Sequence, residues 1–137
     1  MARGNNRIGE VMKPNRQQIY RKYNGHCAYC GCEITLKKMQ IDHVVPKARF
    51  VPHMAAKVHF VPEFLYHLDD VNHHDNLMPA CRACNFYKGE FSLSTFRNQL
   101  STTLKVNIEK PFQFRLGLKY GMVEVKEWDK KFYFEKV

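Results

Sequence analysis

Short stretches of apolar and polar residues predict a chain that mixes strands with helices. Residues 39–45, MQIDHVV, combine apolar and β-branched side chains and stop at a proline, which is typical of a strand. Residues 14–23, PNRQQIYRKY, favour a short helix, because proline suits the first turn and the Asn-Gly pair that follows is a common helix end. We therefore expect one helix and one strand before the middle of the chain.

The pattern after Cys81 is mostly helical. A helix is expected to begin at Cys81, and residues 92–100, SLSTFRNQL, begin a second helix with Ser92 or Ser94 as its N-cap. Residues 111–120 alternate like a strand, yet the proline at their start and the glycine that follows them frame a helix. We interpret this third segment as a helix.

Two segments outside these elements are less regular. Residues 46–71 form a long connection with three prolines, and its apolar side chains favour a short helix near residues 62–68. Residues 122–126 and 131–137, MVEVK and KFYFEKV, predict the two strands of a closing β-hairpin. The chain would then end on a strand pair.

Length and composition indicate one folded domain. With 137 residues the chain is long enough for a modest core but too short for two domains, and its 45% apolar residues argue against disorder. The longest apolar runs are a few residues, so no membrane span is expected, and the basic N-terminus lacks the apolar segment of a signal peptide. We therefore expect a cytoplasmic protein that has no membrane partner.

The charge of the chain points to a polyanionic partner. The formal net charge is +9 and the sequence pI is about 9.4, values that favour binding to nucleic acid. A basic surface that serves solubility alone would produce the same numbers. The charge therefore leaves both interpretations open.

Five cysteines provide the first candidate chemistry, and they occur at Cys27, Cys30, Cys32, Cys81 and Cys84. Disulfides are rare in the cytosol, so metal binding or burial must explain these residues. Cys27 with Cys30 forms one Cys-x-x-C pair. Cys81 with Cys84 forms a second, and two such pairs complete a tetrahedral structural zinc site. Buried hydrophobic cysteines or a redox pair are the alternatives, and Cys32 could replace Cys30 as a ligand.

Polar residues near these cysteines resemble those of a known enzyme family. Asp42 and His43 lie on the predicted strand. Asn76 lies shortly before the second Cys-x-x-C pair, and Asn85 follows it. In this order the residues resemble the HNH endonucleases over residues 26–97. The resemblance implies an α+β fold: a ββα-metal finger clasped by the structural four-cysteine zinc site, with flanking helices and a C-terminal β-hairpin.

The same resemblance implies how the chain is organised. Residues 1–137 would form a single HNH endonuclease domain whose core spans residues 26–97. Residues 1–25 would supply a basic arm and a helix, and residues 98–137 would supply the C-terminal helix and hairpin.

The resemblance also implies a role for each polar residue. His43 matches the general base that removes a proton from water, and Asn76 matches the asparagine that ties together the loop between the strands. Asp42 and Asn85 match the ligands of one catalytic divalent cation. The final position is often histidine in the family, so this chain resembles an H-N-N variant. The implied activity is metal-dependent hydrolysis of DNA phosphodiester bonds.

Elementary chemistry is consistent with these roles. Hydrolysis of a phosphodiester needs an activated water and neutralised charge in the transition state. Histidine titrates near neutral pH, which suits a base, and the oxygens of Asp42 and Asn85 are ligands that Mg²⁺ or Mn²⁺ prefers. Lys88 and Arg82 lie close enough in sequence to contact flanking phosphates, although either could face solvent instead.

Two local features stay open at the level of sequence. Neighbours on a regular strand point to opposite faces, so Asp42 and His43 share a site only if the strand bends there. His73 and His74 could supplement the metal site, contact phosphate or cap a turn together with Asp75. We interpret them as part of a turn.

Two other functions are compatible with parts of the pattern. A non-catalytic, zinc-stabilised nucleic-acid-binding module would need the cysteines and the basic surface, but not Asp42, His43 and Asn85 together. A redox or zinc-sensing protein would use Cys32 as its reactive thiol, and an acidic thiol there would favour it. DNA is the expected partner, and the sequence leaves RNA open.

Overall fold

The computed structural model describes residues 13–50 and 61–137, and the fold of these residues is α+β. Two strands and five helices, joined by loops and short 3₁₀ turns, are present in the two ranges. The strands are β1 (Gln40–His43) and β2 (Leu77–Ala80), and the helices are α1 (Arg16–Arg21), α2 (Arg82–Lys88), α3 (Leu93–Asn98), α4 (Lys105–Glu109) and α5 (Phe112–Lys119). A π-helical segment, Gln99–Leu104, connects α3 to α4 without a break. The first 12 residues of the predicted basic arm lie outside the described residues.

The two strands form an antiparallel pair that leads into α2. His43 lies opposite Leu77, so the pairing continues to the end of β1. Cys81 caps the start of α2, where its sulfur accepts a hydrogen bond from the N–H of Cys84 at 3.4 Å. The strand predicted at residues 39–45 and the helix predicted after Cys81 are therefore confirmed.

Local capping explains where the other helices begin. The side chain of Asn15 accepts a hydrogen bond from the N–H of Gln18 at the start of α1, at 3.2 Å. The hydroxyl of Ser92 accepts one from the N–H of Thr95 at the start of α3, also at 3.2 Å. α5 begins after Pro111. The helices predicted at these places are confirmed, and the first of the two candidate serines is the cap of α3.

The predicted C-terminal hairpin is wrong. Residues 122–126 form no strand, and residues 131–137 contain a short 3₁₀ turn. Phe132 is buried, and the N–H of Phe134 donates to the carbonyl of Ala28 at 2.8 Å. The end of the chain therefore bonds to the loop that carries the first cysteines, because this contact buries aromatic rings. Both valines of residues 122–126 stay exposed.

The main core lies where the C-terminal segment meets the cysteine loop and α3. The rings of Tyr29, Phe96 and Phe132 pack with centroid distances of 5.4, 5.3 and 5.2 Å. The helix predicted near residues 62–68 is a single 3₁₀ turn that adds the buried Leu65 to this core. Within the two described ranges, no helix has the length and hydropathy needed to cross a membrane.

Candidate active site and metal centre

The two Cys-x-x-C pairs meet in space. The sulfurs of Cys27, Cys30, Cys81 and Cys84 lie within 4.8 Å of one another, and all four residues are free thiols. Cys30 and Cys81 are 51 residues apart in sequence, yet their sulfurs approach to 3.8 Å. Four sulfurs at one point are the donor set of a structural zinc site, in which no position is left for water. The cluster therefore fits the predicted zinc centre.

The thiol pKa differs between Cys27, which belongs to the four-cysteine cluster, and Cys32, which does not. A hydrogen bond from Cys84 lowers the pKa of the Cys27 thiol to about 4, so Cys27 is a thiolate at neutral pH, which is the form that binds zinc. Partial burial, reinforced by the neighbouring Cys30, raises the pKa of the Cys32 thiol to about 12. Cys32 is exposed and lies outside the four-sulfur cluster, and its raised pKa gives no sign of the acidic thiol that the redox interpretation calls for.

His43, the predicted general base, lies at the end of β1 with its ring half-buried. Its Nε2 lies 2.7 Å from the side-chain oxygen of Asn72, a residue that is 8% exposed. Because the partner is an oxygen, Nε2 carries the ring proton and Nδ1 keeps its lone pair. Burial lowers the pKa of His43 and outweighs the hydrogen bond to Asn72, which raises it, and the charge of Lys47 lowers the pKa further. The imidazole is therefore a neutral base at neutral pH.

Asn76 fixes the loop between the two strands. Its buried side-chain oxygen accepts a hydrogen bond from the N–H of Val45 at 2.8 Å. Its amide nitrogen donates to the carbonyls of Val45 and Val71, at 3.1 and 2.8 Å. These bonds hold the chain just after β1 against the chain that leads into β2.

Asp42 points into the core and is only 4% exposed. Its carboxylate pairs with the Lys88 ammonium at 3.1 Å and accepts a hydrogen bond from the Tyr29 hydroxyl. Lys88 is fully buried and also donates to the carbonyl of His43 at 2.9 Å. Burial raises the pKa of Asp42 and lowers that of Lys88, while the charge of each opposes the shift of the other. Removing one partner from such a pair costs about 3–5 kcal/mol.

This buried pair changes two sequence-based expectations. β1 stays paired in regular register through His43, and Asp42 and His43 therefore point to opposite sides of it. The carboxylate of Asp42 is already bonded to the hydroxyl of Tyr29 and the ammonium of Lys88. Asp42 therefore does not fit the predicted role of cation ligand. The predicted contact of Lys88 with a phosphate is also corrected, because no part of its side chain reaches the surface.

The other two predicted site residues remain accessible. Asn85 lies on α2 and is half-buried, and its side-chain amide has no hydrogen-bond partner among residues 13–50 and 61–137. Arg82 is exposed in the first turn of the same helix. The amide oxygen of Asn85 is therefore free to bind a cation, and the guanidinium of Arg82 is free to bind a phosphate.

Sequence reasoning missed two residues that shape this site. Asn72 opens the polar stretch NHHDN, and its position four residues before Asn76 was the available signal. Tyr29 lies inside the first Cys-x-x-C pair, where the spacing draws attention to sulfur alone. The turn predicted for His73 is confirmed, because its Nδ1 accepts a hydrogen bond from the N–H of Asp75 at 3.1 Å.

Comparison with known proteins finds partial similarity to two Cas9 enzymes. No protein-family model matches the chain. Over an alignment of 82 positions, which covers 56% of this chain, the sequence is 30% identical to the CRISPR-associated endonuclease Cas9 of Corynebacterium diphtheriae, and the matched part is 6% of that protein. Among solved structures, the Type II-C Cas9 enzyme from Actinomyces naeslundii is similar over 82% of this chain and 11% of its own, with 16% identity and a TM-score of 0.44. The chain therefore spans a small fraction of either Cas9 protein.

Proposed function

We propose that this protein is an HNH-type endonuclease that hydrolyses DNA phosphodiester bonds, with His43 as the general base. The observation that carries the proposal is the neutral imidazole of His43, which Asn72 orients at the end of β1. The 30% identity to part of a Cas9 endonuclease supports the same activity. The net charge of +9 favours a nucleic acid as substrate.

Proton transfer to Nδ1 is the step assigned to His43. A water bonded to Nδ1 gives its proton to the ring as the water oxygen attacks phosphorus, and the bond from phosphorus to the leaving 3′ oxygen breaks. The leaving oxygen takes a proton from a solvent water, and the imidazolium later releases its proton to solvent. Nε2 stays bonded to Asn72 throughout, so the ring keeps its direction and its tautomer. The lowered pKa of His43 keeps the ring unprotonated at neutral pH before each turnover.

Two exposed basic side chains, those of Lys47 and Arg82, contact the phosphates that flank the scissile bond in this proposal. Lys47 lies in the 3₁₀ turn after β1, and its charge is near enough to act on the pKa of His43. Arg82 is exposed at the start of α2. These residues replace the buried Lys88 in the proposal. Phosphate contacts of this kind make DNA binding weaker as salt concentration rises.

The two metals implied by the resemblance differ in how well the residues fit them. The four-cysteine cluster fits zinc, which would supply folding free energy and no chemistry when bound. A catalytic Mg²⁺ or Mn²⁺ between Asp42 and Asn85 does not fit while Lys88 is paired with Asp42. We therefore assign no catalytic step to a cation.

One observation favours the alternative of a non-catalytic, zinc-stabilised nucleic-acid-binding module. The buried pair of Asp42 and Lys88 leaves the predicted cation site without its carboxylate. A module that only binds DNA would need the cysteine cluster and the basic surface, and it would have no use for an oriented His43. The orientation of His43 by Asn72 is the reason that we prefer the enzyme.

Incubation of supercoiled plasmid with the purified protein tests the activity. We expect conversion to nicked or linear DNA, and reactions with added Mg²⁺ or Mn²⁺ are compared with reactions in buffer made metal-free by dialysis to show whether cleavage needs a cation. Dialysis is preferable to a strong chelator, which would also remove zinc from the cysteines. Single-stranded DNA and RNA of the same sequence identify the preferred substrate. Binding to DNA without cleavage under every cation condition would support the binding module instead.

Replacing Asn72 should change both the rate and its pH dependence. Asn72→Ala removes the bond that orients His43 and should slow cleavage by about 10–100-fold, because misplacement of a reacting group by about 1 Å can cost about 10²-fold. Asn72→Asp places a carboxylate beside Nε2, which stabilises the imidazolium and raises the pKa of His43. The acid limb of the rate profile should then move to higher pH.

Single-turnover cleavage measured on both sides of neutral pH checks this expectation. Asn98→Asp adds the same charge at an exposed position on α3 and should leave the profile unchanged. A wild-type profile in Asn72→Asp would show that Asn72 does not act on the base.

A further inference from the structure

A second group of metal-binding side chains lies outside the residues assigned to cleavage and to zinc. We propose that His67, His73 and Asp75, here called the His–Asp cluster, bind one transition-metal ion of the zinc type. One ligand atom from each of the three residues lies within 4.8 Å of the other two. The His–Asp cluster shares no residue with the four-cysteine centre.

The distances in the His–Asp cluster are close to those of a metal site. Nε2 of His67 lies 2.7 Å from Oδ2 of Asp75, and Nδ1 of His73 lies 3.8 Å from the same oxygen. In a tetrahedral zinc site with bonds of about 2.0–2.1 Å, neighbouring ligand atoms lie about 3.3 Å apart. The two observed distances fall on either side of this value. Each of these two distances therefore differs from the zinc value by roughly half an ångström.

The hydrogen-bonded ion pair in the His–Asp cluster joins only His67 and Asp75. Asp75 is hydrogen-bonded to His67, whereas the ring of His73 lies too far from the carboxylate for such a bond. The His73 ring packs edge-on against the His67 ring, with 5.2 Å between the centroids. A shared metal ion would use all three residues as ligands.

The donors and their exposure define the class of ion. Two imidazole nitrogens and one carboxylate oxygen suit Zn²⁺, Co²⁺, Ni²⁺ or Cu²⁺, whereas Mg²⁺ prefers oxygen ligands. The side chains of His67, His73 and Asp75 are 51%, 33% and 46% exposed, so an ion can reach them from solvent. Three protein ligands leave one tetrahedral position for water or a further ligand.

Two neighbouring features should make this ion exchangeable. Nδ1 of His73 accepts the N–H of Asp75 and so caps the turn His74–Asn76, and the metal bond must replace that hydrogen bond. The ammonium of Lys22 donates to the carbonyl of His74, the residue before Asp75, at 2.9 Å, and its positive charge there opposes a nearby cation. The His–Asp cluster should therefore release its ion under conditions in which the cysteines retain zinc.

Titration of the zinc-loaded protein with Co²⁺ tests the proposal. We expect one further equivalent to bind, measured by calorimetry and by ligand-field absorption without the charge-transfer bands of cobalt bound to thiolate. His67→Ala and Asp75→Asn should each weaken this binding by roughly tenfold or more, since even indirect changes around a metal site cost that much. His74→Ala alters an exposed histidine outside the cluster and should leave the affinity unchanged.

Two further variants keep the result interpretable. Asn85→Ala should retain the added Co²⁺, which separates this ion from the cation predicted beside α2. His67→Ala leaves the His73 cap in place, so it remains informative even if variants of His73 disturb the turn. Absence of a further equivalent, or unchanged affinity in His67→Ala, would overturn the proposal. Thiolate charge-transfer bands in the added signal would place the cobalt on the cysteines and would overturn it as well.

Discussion

Replacing His43 with alanine should lower the rate of phosphodiester cleavage by about 10²–10⁴-fold, the usual contribution of a general base. The fold and the affinity for DNA should stay near wild type, because the half-buried His43 side chain makes its hydrogen bond to Asn72 alone among the described residues. Single-turnover cleavage and DNA binding should be measured on the same preparations. His74→Ala is the matched control, since it removes an exposed histidine. A His43 variant that keeps more than about a tenth of wild-type cleavage would exclude His43 as the base.

The pH dependence of wild-type cleavage follows from the same side chain. Burial lowers the pKa of His43 below its ordinary value, so the neutral form persists to more acidic pH than in an exposed histidine. A general base acts in its neutral form, and the rate should therefore fall as pH decreases through this lowered pKa. We expect the acid limb to lie below the ordinary histidine pKa of about 6.5.

Local signals account for the elements that were predicted correctly from the sequence. The start of α3 depends on Ser92 and the few residues after it, and a window of that length contains the whole signal. The contacts that define the site are not local. The bond between His43 and Asn72 joins residues 29 positions apart, and the bond between Lys88 and Asp42 spans 46 positions. No pattern along the chain pairs these residues.

The wrong expectation for Lys88 has a specific physical cause. Lysine is rarely buried unless it is paired, so a basic residue just after a Cys-x-x-C pair is expected at the surface. Here the carboxylate of Asp42 and the carbonyl of His43 supply partners inside the core. The order of residue types along the chain was enough to predict that the cysteines and His43 lie in or near a functional site. It carried no information about which face of β1 Asp42 would occupy.

A chain of contacts connects the four-cysteine centre to the proposed active site. Tyr29 lies inside the first Cys-x-x-C pair, and its hydroxyl donates to Asp42. Asp42 pairs with Lys88, which donates to the carbonyl of His43. Loss of structure in the cysteine loop would therefore remove contacts that hold the end of β1, where His43, the proposed base, lies.

Cys84→Ser should destabilise the whole domain. Binding free energies of about 10–16 kcal/mol for zinc in small zinc-dependent folds contribute to folding, and they equal or exceed the total stability of about 5–15 kcal/mol of a typical domain. Loss of one ligand should therefore leave little folded protein at physiological temperature. Thermal unfolding and metal analysis measure this effect, and wild-type protein should contain one zinc per chain. Cys32→Ser is the control, because Cys32 lies outside the four-sulfur cluster, and it should unfold like wild type.

The same variants separate the role of zinc from the role of each sulfur. If Cys30→Ser retains zinc and Cys30→Ser with Cys32→Ser loses it, Cys32 substitutes as the fourth ligand. Folded, active wild-type protein without zinc would contradict the four-cysteine centre itself. Because Tyr29 connects the cysteine loop to Asp42, cleavage by Cys84→Ser should fall in proportion to its folded fraction. Cleavage that survives the loss of cooperative unfolding would show that His43 is held without the cysteine loop.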